Sequence, residues 1–350
     1  MLDYKSSGVD TEKAQEYIKS LKETIVGTHK KAKFGSVQDQ FGGFAGIFRP
    51  GASFAGADIV AATDGVGTKI ELARRFGFYD CLGQDLVAMC ANDLYCTGAT
   101  PLFFLDYVAC GRLNESWYVP VIESISKACL DTGMALLGGE SAEHPGVMGD
   151  DEFDLAGFCV GMIQPGEALP KISDVVEGDL LFSAASSGLH SNGFSLVRKI
   201  IAELEKNDPE KWSSLKNDSE WIKEKLLAPT RLYTFLPELV KQVPIKAISH
   251  ITGGGIYENL ERVLPESLSA LVEKPEPHPL AIMDLFRPYV KEKDLYKTFN
   301  MGTGLVAVLP KETSQDQIDL LASHSFVLSG RVVSRESVSG ASVILEGIDR

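Results

Sequence analysis

The chain alternates short apolar runs, which are typical of buried strands, with longer segments of helical period. In the first half, this pattern predicts strands at 59–63, 102–109, 134–137 and 154–163, and helices at 12–24, 82–96 and 114–131. Gly133 follows the last of these helices at the position expected of a C′ glycine. A basic segment at 29–33 and a glycine-aromatic run at 41–48 precede the first strand. The glycine-aromatic run has no period and is predicted to be a mobile loop.

The second half repeats this alternation after a break. Residues 164–170 concentrate proline and glycine, and we place the domain boundary there. Strands are predicted at 179–184, 245–248, 304–309 and 326–333, and helices at 194–204, 256–262 and 313–322, with a solvated helical excursion at 205–225. Because strands and helices alternate in both halves, the predicted class is α/β or α+β. The predicted parts are a mobile N-terminal segment at 1–50, a first domain at 51–168 and a second domain at 169–350.

Length and composition narrow the class of protein further. A chain of 350 residues is typical of two domains. Its 34 basic and 48 acidic residues give a net charge of −14, which argues against sequence-independent binding to nucleic-acid phosphates. No apolar run is long enough to span a bilayer, and the start lacks the pattern of a secretory signal, so we expect a cytoplasmic protein without a membrane partner. The six cysteines lack CxxC spacing, which favours buried, reduced thiols over structural zinc.

The sharpest candidate for chemistry is the segment AATDGVGTK at residues 61–69. An apolar strand ends at Asp64, two glycines let the backbone approach a ligand, and Thr68 and Lys69 supply a hydroxyl group and a cation. This set suits a phosphate group and its metal ion. It is neither a Walker loop nor a dinucleotide-binding GxGxxG motif. The alternative is a plain Asp-Gly hairpin turn with Lys69 in solvent.

Several acidic side chains lie in apolar elements of the same domain. In the apolar helix 82–96, Asp85 and Asn92 share one face, and Asp93 lies at its flank. Asp85 can complement the helix dipole in the first turn, whereas the dipole disfavours a charge at Asp93, so we predict that Asp93 is a ligand. Asp106 lies in a strand predicted to be buried on both faces, and Glu140 follows another strand. Asp64, Asp93, Asp106 and Glu140 together offer the oxygen ligands that Mg²⁺ prefers.

Two turns in the second half carry histidines. Residues 186–193, SSGLHSNG, lead from a strand into a helix, and their serines and backbone N–H groups predict an anion site. His190 lies in this turn, where it is either an exposed or structural residue or in contact with a phosphate or a reacting group. His250 precedes three glycines, 253–255, in a similar strand-to-helix arrangement, and we interpret it as a core residue.

These segments, in this order, resemble the phosphoribosylformylglycinamidine cyclo-ligase family, also called aminoimidazole ribonucleotide synthetase. The resemblance covers nearly the whole chain. The matching motifs are YK at 4–5, GVD at 8–10, DGVGTK at 64–69, DLVAMCAND at 85–93, PLFFLDY at 101–107, GGE at 138–140, PG at 145–146, DLAGF at 154–158, HSNG at 190–193, LAPTR at 227–231, HITGGG at 250–255 and TFNMG at 298–302.

The resemblance implies both a fold and a reaction. The expected fold has an N-terminal domain whose strands form a barrel across a homodimer, flanked by helices, and a C-terminal α/β domain. The expected enzyme is an ATP-dependent ligase of purine biosynthesis that forms a C–N bond. It converts formylglycinamidine ribonucleotide to aminoimidazole ribonucleotide and releases ADP and phosphate. ATP phosphorylates the formamide oxygen, and the amidine nitrogen then attacks the activated carbon.

The resemblance also implies roles for individual residues. The expected ATP-binding residues are Lys22, Asp64, Gly65, Gly67, Thr68, Lys69 and Asp93, with Mg²⁺ held by Asp64, Asp93 and Asp106. The expected substrate-binding residues are Glu140, Ser187, Gly188, His190, Ser191, Asn192, Gly253 and Gly254. Lys69, His190 and Asn192 are the expected catalytic residues, and the segment through Gly46 is expected to close over the nucleotide. Which glycine-rich turn binds the substrate phosphate stays open.

The sequence also departs from the family pattern, and other interpretations stand beside it. The segment 34–40 is stretched and polar, Ser141 and His144 replace the usual threonine and methionine, and 274–279 lacks the usual tryptophans. The motif from Asp93 to Pro101 is shared with selenophosphate synthetase and thiamine-monophosphate kinase. A selenophosphate synthetase is expected to carry a reactive cysteine near its N-terminus, whereas the first cysteine here is Cys81. An inactive ATP-binding scaffold is disfavoured because the costly acidic residues are intact.

Overall fold

The computed structural model describes residues 11–37 and 48–349. The chain divides into two compact units: the first ends at Gly166, and the second follows it and also takes in Cys96–Gly98. The division at Gly166 falls within the proline- and glycine-rich segment 164–170. In the described part of the chain, no helix is long and apolar enough to cross a membrane.

The first unit is built on a four-stranded sheet. Its elements are α1 (Thr11–Lys31), β1 (Gly35–Val37), β2 (Phe48–Pro50), β3 (Asp58–Gly65), α2 (Lys69–Phe76), α3 (Leu82–Cys96), β4 (Thr100–Cys110), α4 (Glu115–Thr132), β5 (Ala135–Glu143) and β6 (Phe153–Ile163). The strand order is β3-β6-β4-β5, with β4 and β5 parallel and the other pairs antiparallel. The short strands β1 and β2 form a separate antiparallel pair.

Side chains alternate across this sheet. On β6, Leu155 and Cys159 are buried, whereas Phe158 between them is 42% exposed. The buried face packs closely on α3, since a β-carbon at Gly157 would lie 3.1 Å from the Leu86 side chain. The prediction that the strand at 102–109 is buried on both faces is wrong for the single chain. Tyr107 on β4 is 36% exposed, because no other element of the first unit covers this face of the sheet among the described residues.

Helix α1 is longer than predicted, so that the basic residues 29–31 are part of it. Thr28 and His29 attach α1 to the edge strand β5. The Thr28 hydroxyl accepts a hydrogen bond from the Leu136 N–H, and His29 Nε2 donates to the Leu136 carbonyl. The α1 side chains Leu21 and Ile25 are buried. Residues 11–31 therefore form a helix attached to the sheet, and the mobility of the N-terminal segment stays a prediction. Of the predicted loop at 41–48, all residues except Phe48, which begins β2, lie outside the described residues.

The second unit holds a six-stranded sheet. Its elements are β7 (Leu180–Ala185), α5 (Phe194–Asn207), α6 (Pro209–Lys216), α7 (Ser219–Trp221), α8 (Leu236–Gln242), β8 (Ala247–His250), α9 (Gly255–Glu261), β9 (Leu268–Val272), α10 (Met283–Phe286), α11 (Glu292–Thr298), β10 (Thr303–Leu309), α12 (Gln315–Ser323), β11 (Phe326–Ser334) and β12 (Val343–Leu345). The strand order is β12-β9-β11-β7-β10-β8. Because β7 and β8 both run antiparallel to β10, their carboxyl ends meet at one edge, next to the start of β10.

Candidate active site

The Asp64 turn, residues 64–69, connects β3 to α2. The Asp64 carboxylate accepts a hydrogen bond from the Gly65 N–H at 2.7 Å, and Gly67 has a φ of 68°, which glycine adopts without strain. Gly67 and Thr68 are exposed, whereas Val66 and Lys69 on either side of them are buried. The turn is therefore held from the interior and offers its outer residues at the N-terminus of α2, where a helix favours an anion.

Lys69 does not point into solvent. Its Nζ lies 2.7 Å from Asp85 Oδ2, and both side chains are fully buried. The alternative of a plain turn with an exposed lysine is therefore wrong. Asp85, which the sequence explained through the helix dipole, is instead the counter-ion of Lys69. A contact between Lys69 and a phosphate group stays a prediction.

The position of Asp93 contradicts the argument by which it was predicted to be a ligand, namely that its charge lies on a buried helix. On α3, Asn92 is fully buried, but Asp93 is exposed, because successive residues of a helix point about 100° apart. Its carboxylate has no desolvation cost that a cation must offset. Asp93 still belongs to the same region as Asp64, because burial, together with the nearby carboxylates of Asp64 and Asp93, raises the pKa of Cys90 to about 12. Both acids therefore lie near Cys90.

Asp106 is separated from that pair. Asp64 and Asp106 lie opposite the same residue, Gly157, from the strands on its two sides, which puts their Cα atoms roughly 10 Å apart. A β-carbon at Gly139 on β5 would collide with the Asp106 carboxylate. Within 11–37 and 48–349, no three His, Cys, Asp or Glu side chains are close enough to hold a metal ion. These three carboxylates therefore do not form one cluster, and Mg²⁺ binding by Asp64, Asp93 and Asp106 stays a prediction.

The environment of Asp106 also differs from that of Asp64 and Asp93. The carboxyl group is buried, and desolvation, together with the nearby Glu140 carboxylate, raises its pKa to about 7. Glu140 is exposed and lies within β5, opposite Tyr107, rather than after the strand as predicted. Lys22 is exposed on α1, which packs along α4 and β5, whereas Asp64 lies on the opposite edge strand of the sheet. Binding of ATP by Lys22 stays a prediction.

In the second unit, His190 is the most constrained residue of the 186–193 turn. It is fully buried and has a φ of 59°, which is rare outside glycine. Its Nε2 accepts a hydrogen bond from the Ser187 N–H at 3.3 Å, so Nε2 carries no proton. The rings of Tyr233 and His250 each lie 6.4 Å from the His190 ring. The alternative that His190 is an exposed loop residue is wrong, and the prediction that His250 is a core residue is confirmed.

Hydrogen bonds tie this turn to two other matching motifs. The Ser186 hydroxyl and the Asn300 amide both donate to the Gly188 carbonyl at 2.9 Å. The Ser187 hydroxyl donates to the Pro229 carbonyl at 2.6 Å, and Ser191 shares a hydrogen bond with Thr230. The motifs at 186–193, 227–231 and 298–302 therefore form one structure at the edge of the sheet.

The glycine-rich turn after β8 lies at the same edge. A β-carbon at Gly253 would be 3.5 Å from Asn192 Oδ1, so Asn192 and Gly253 are neighbours. Gly254 has a φ of 89° and precedes α9. Ser187 and Gly253 are exposed and Asn192 is half-buried, whereas the other predicted substrate residues of the 186–193 turn, Gly188, His190 and Ser191, are buried.

Sequence reasoning missed two residues of these sites. Asp85 was assigned to the helix dipole, although it lies sixteen positions after Lys69 in a matching motif. Arg231 was noted only within the LAPTR motif. Its Nη1 donates to the Ala185 carbonyl at 3.0 Å, and its guanidinium lies over the rings of Tyr233 and Phe235. Its positive charge within the LAPTR motif was the signal by which the sequence could have indicated it.

Comparisons with known proteins extend over both units. The N-terminal domain model of AIR synthase related proteins matches residues 45–163, and the C-terminal domain model matches 176–341. The chain is 40% identical to phosphoribosylformylglycinamidine cyclo-ligase of Synechococcus sp. strain CC9902, over 95% of this chain and 96% of that protein. It is 39% identical to the enzyme of the same name from Oceanobacillus iheyensis, over 96% and 98%. The chain belongs to the phosphoribosylformylglycinamidine cyclo-ligase family.

The family predicted from the sequence motifs is thus confirmed. Solved structures with lower sequence identity show the same α/β fold. Thiamine-monophosphate kinase from Stenotrophomonas maltophilia has a TM-score of 0.63 at 18% identity, covering 95% of this chain and 97% of that one. Hydrogenase maturation protein HypE in complex with ATP has a TM-score of 0.63 at 17% identity, covering 99% and 94%. At this identity the likeness is one of fold alone.

Proposed function

We propose that this protein catalyses the ATP-dependent closure of formylglycinamidine ribonucleotide to aminoimidazole ribonucleotide, with release of ADP and phosphate. The observation that carries this proposal is about 40% identity to named cyclo-ligases over nearly the full length of both chains. The reaction is a step of purine biosynthesis in the cytoplasm. The activity of the kinase that shares the fold is disfavoured, because the identity to it is only 18%.

The Asp64 turn is the proposed site for the ATP phosphates. Asp64 and Asp93 suit Mg²⁺, which is commonly bound by one or two carboxylates together with nucleotide phosphates. The exposed position of Asp93 favours this, since a carboxylate in reach of solvent can meet a hydrated ion. When bound, the magnesium ion neutralises charge on the phosphates. The chain itself contributes the turn, whose Gly67 and Thr68 are exposed at the start of α2.

The edge of the second sheet is the proposed site for the ribonucleotide substrate. Ser187, Asn192 and Gly253 offer a hydroxyl group, an amide and a close backbone approach there. His190 supports this surface from beneath, because its Nε2 fixes the Ser187 N–H. Arg231 adds a cation whose direction is set by two aromatic rings, which suits a phosphate group. Direct contact between His190 and the substrate stays a prediction.

A homodimer is the proposed assembly. One face of the first sheet carries exposed apolar side chains in the part of the chain that the structure describes: Ile59 is 72% exposed, Phe158 42% and Tyr107 36%. Large exposed apolar patches on soluble proteins commonly mark interfaces. The continuous apolar sequence of β4 also favours burial on both faces. A second copy of the same sheet, closing a barrel across the dimer, would supply the missing layer.

One assay distinguishes the candidate activities. Release of ADP is measured with formylglycinamidine ribonucleotide, with thiamine monophosphate, with selenide and without a second substrate. We expect release only with the ribonucleotide, accompanied by aminoimidazole ribonucleotide. Release with thiamine monophosphate or selenide alone would assign the protein to a different activity of the same fold, and no release with any of them would indicate a scaffold.

A further inference from the structure

The ion pair between Lys69 and Asp85 lies directly behind the Asp64 turn. Lys69 is the first residue of α2, and Asp85 is in the first turn of α3. Their charged atoms are 2.7 Å apart, and both side chains have no exposed surface. The pair therefore links the starts of two helices at the point where the chain leaves the proposed phosphate-binding turn.

The surroundings of the pair are poor in solvent. Cys81, which lies just before α3, is buried next to both charges, and burial raises its pKa to about 12. The free-energy cost of removing two charges from water can exceed the energy gained from their attraction. A buried ion pair therefore contributes little to stability. Fixing one arrangement of the chain is the better-attested use of such a pair.

The arrangement that the pair would fix is that of the Asp64 turn. Val66 and Lys69 are buried, and the two residues between them, Gly67 and Thr68, are exposed. The turn is thus anchored at two points on the interior side and presents its middle outward. If Lys69 swung out toward a phosphate, the Asp85 carboxylate would remain buried without its counter-ion, and one of the two anchors would be lost.

We propose that Asp85 is a positioning residue of the nucleotide site. It holds the Lys69 ammonium group in the interior, and the pair seats the turn so that Gly67 and Thr68 face the phosphates. Lys69 acts on ATP through the turn and does not bind a phosphate itself. This inference rests on the proposed use of ATP by the Asp64 turn.

The test compares single and paired substitutions. Lys69→Met and Asp85→Leu each remove one charge of the buried pair and keep the other, and we expect each to raise the KM for ATP by about tenfold or more. The double variant lacks both charges of the pair, and the apolar Met and Leu side chains can still anchor the turn in the interior. Its KM for ATP should therefore return to within about threefold of the wild-type value. The KM for formylglycinamidine ribonucleotide should stay within about twofold in the double variant.

A second variant covers the case in which Asp85→Leu fails to fold. Asp85→Asn keeps the shape and an oxygen that can accept from Lys69 Nζ. We expect a folded protein with a severalfold higher KM for ATP and a kcat within about twofold of wild type, because saturating ATP reseats the turn. The control is Lys246→Met, which breaks the ion pair (2.8 Å) between the half-buried Lys246 and the buried Asp179 in the other unit. It should lower the melting temperature and leave the KM for ATP unchanged.

Two results would overturn the proposal. If the double variant binds ATP as poorly as Lys69→Met, Lys69 contacts the phosphates directly. If every folded variant has the wild-type KM for ATP and only melting temperatures change, the pair is structural alone. Failure of the proposed function is a separate result, because it would appear as absence of ATP use in the wild-type protein.

Discussion

Asp64 and Asp106 face the same residue, Gly157, from the two strands on either side of it. The sequence predicts both as magnesium ligands, but their carboxylates lie in different environments. Asp64 lies at the open end of its strand beside the turn, whereas Asp106 is buried against Gly139. A single sheet thus separates an acid that can bind a cation from one that is held in the interior.

The buried position of Asp106 predicts a dependence of stability on pH. Desolvation raises its pKa from 3.8 to about 7, so between these values the folded chain binds a proton that the unfolded chain has lost. The free energy of unfolding should therefore fall as the pH rises through this range, by up to about 1.4 kcal/mol per pH unit. Asp106→Asn should remove this slope. Urea unfolding at several pH values measures it, with Asp150→Asn, at an exposed site, as the control. Equal slopes in wild type and Asp106→Asn would contradict the assignment.

Asp93→Asn should abolish turnover without loss of the fold. Asp93 is exposed, and surface substitutions usually change stability by less than about 0.5 kcal/mol. The loss should come from weakened binding of Mg²⁺-ATP. Activity and melting temperature are measured together, with Asp131→Asn on the exposed end of α4 as a matched control. Near-normal turnover at saturating Mg²⁺ would remove Asp93 from the site.

Gly253→Ala tests the proposed substrate edge. A β-carbon there would lie 3.5 Å from Asn192 Oδ1, an ordinary contact, so the fold should be retained. If the substrate approaches this backbone, the KM for formylglycinamidine ribonucleotide should rise by about tenfold while the KM for ATP stays constant. Gly27→Ala on α1 has open space and should only stabilise the chain, by about 0.5–1 kcal/mol. An unchanged KM in Gly253→Ala would place the substrate elsewhere.

Phe158→Glu tests the proposed homodimer. The wild-type protein should sediment at twice the chain mass of 38.0 kDa. A charge at Phe158, in the centre of the exposed apolar face, should shift it to the single-chain mass. Val327→Glu, at a residue 38% exposed in the second unit, should leave the dimer intact. An active wild-type species at the mass of one chain would refute the dimer.

The sequence predicted most elements of the fold, because strands and helices carry strong apolar patterns. α4 begins after the capping residue Asn114 and ends at Gly133, whose φ is 78°, as expected from the pattern. Residues 205–225 are largely helical, as predicted. The true length of α1 was missed, because its last turn is basic and carries no apolar period. What fixes it is the pairing of Thr28 and His29 with the distant Leu136.

The candidate site was predicted in its segments but not in its internal geometry. Helix α3 is apolar nearly all round, so the pattern did not indicate whether Asp85 or Asp93 faces the interior. The structure buries Asp85 with Lys69 and exposes Asp93, the reverse of the expectation. Likewise, the distance between Asp64 and Asp106 depends on the strand order, which places β6 between two strands that no local pattern could order.

The most direct test of the proposed reaction follows the formamide oxygen. Formylglycinamidine ribonucleotide labelled with heavy oxygen at the formyl group is incubated with the protein, ATP and Mg²⁺, and the products are analysed by mass spectrometry. Phosphorylation of that oxygen followed by ring closure predicts equal amounts of ADP and aminoimidazole ribonucleotide, with the label in inorganic phosphate. Release of ADP without aminoimidazole ribonucleotide, or ring closure with the label in water, would contradict the account.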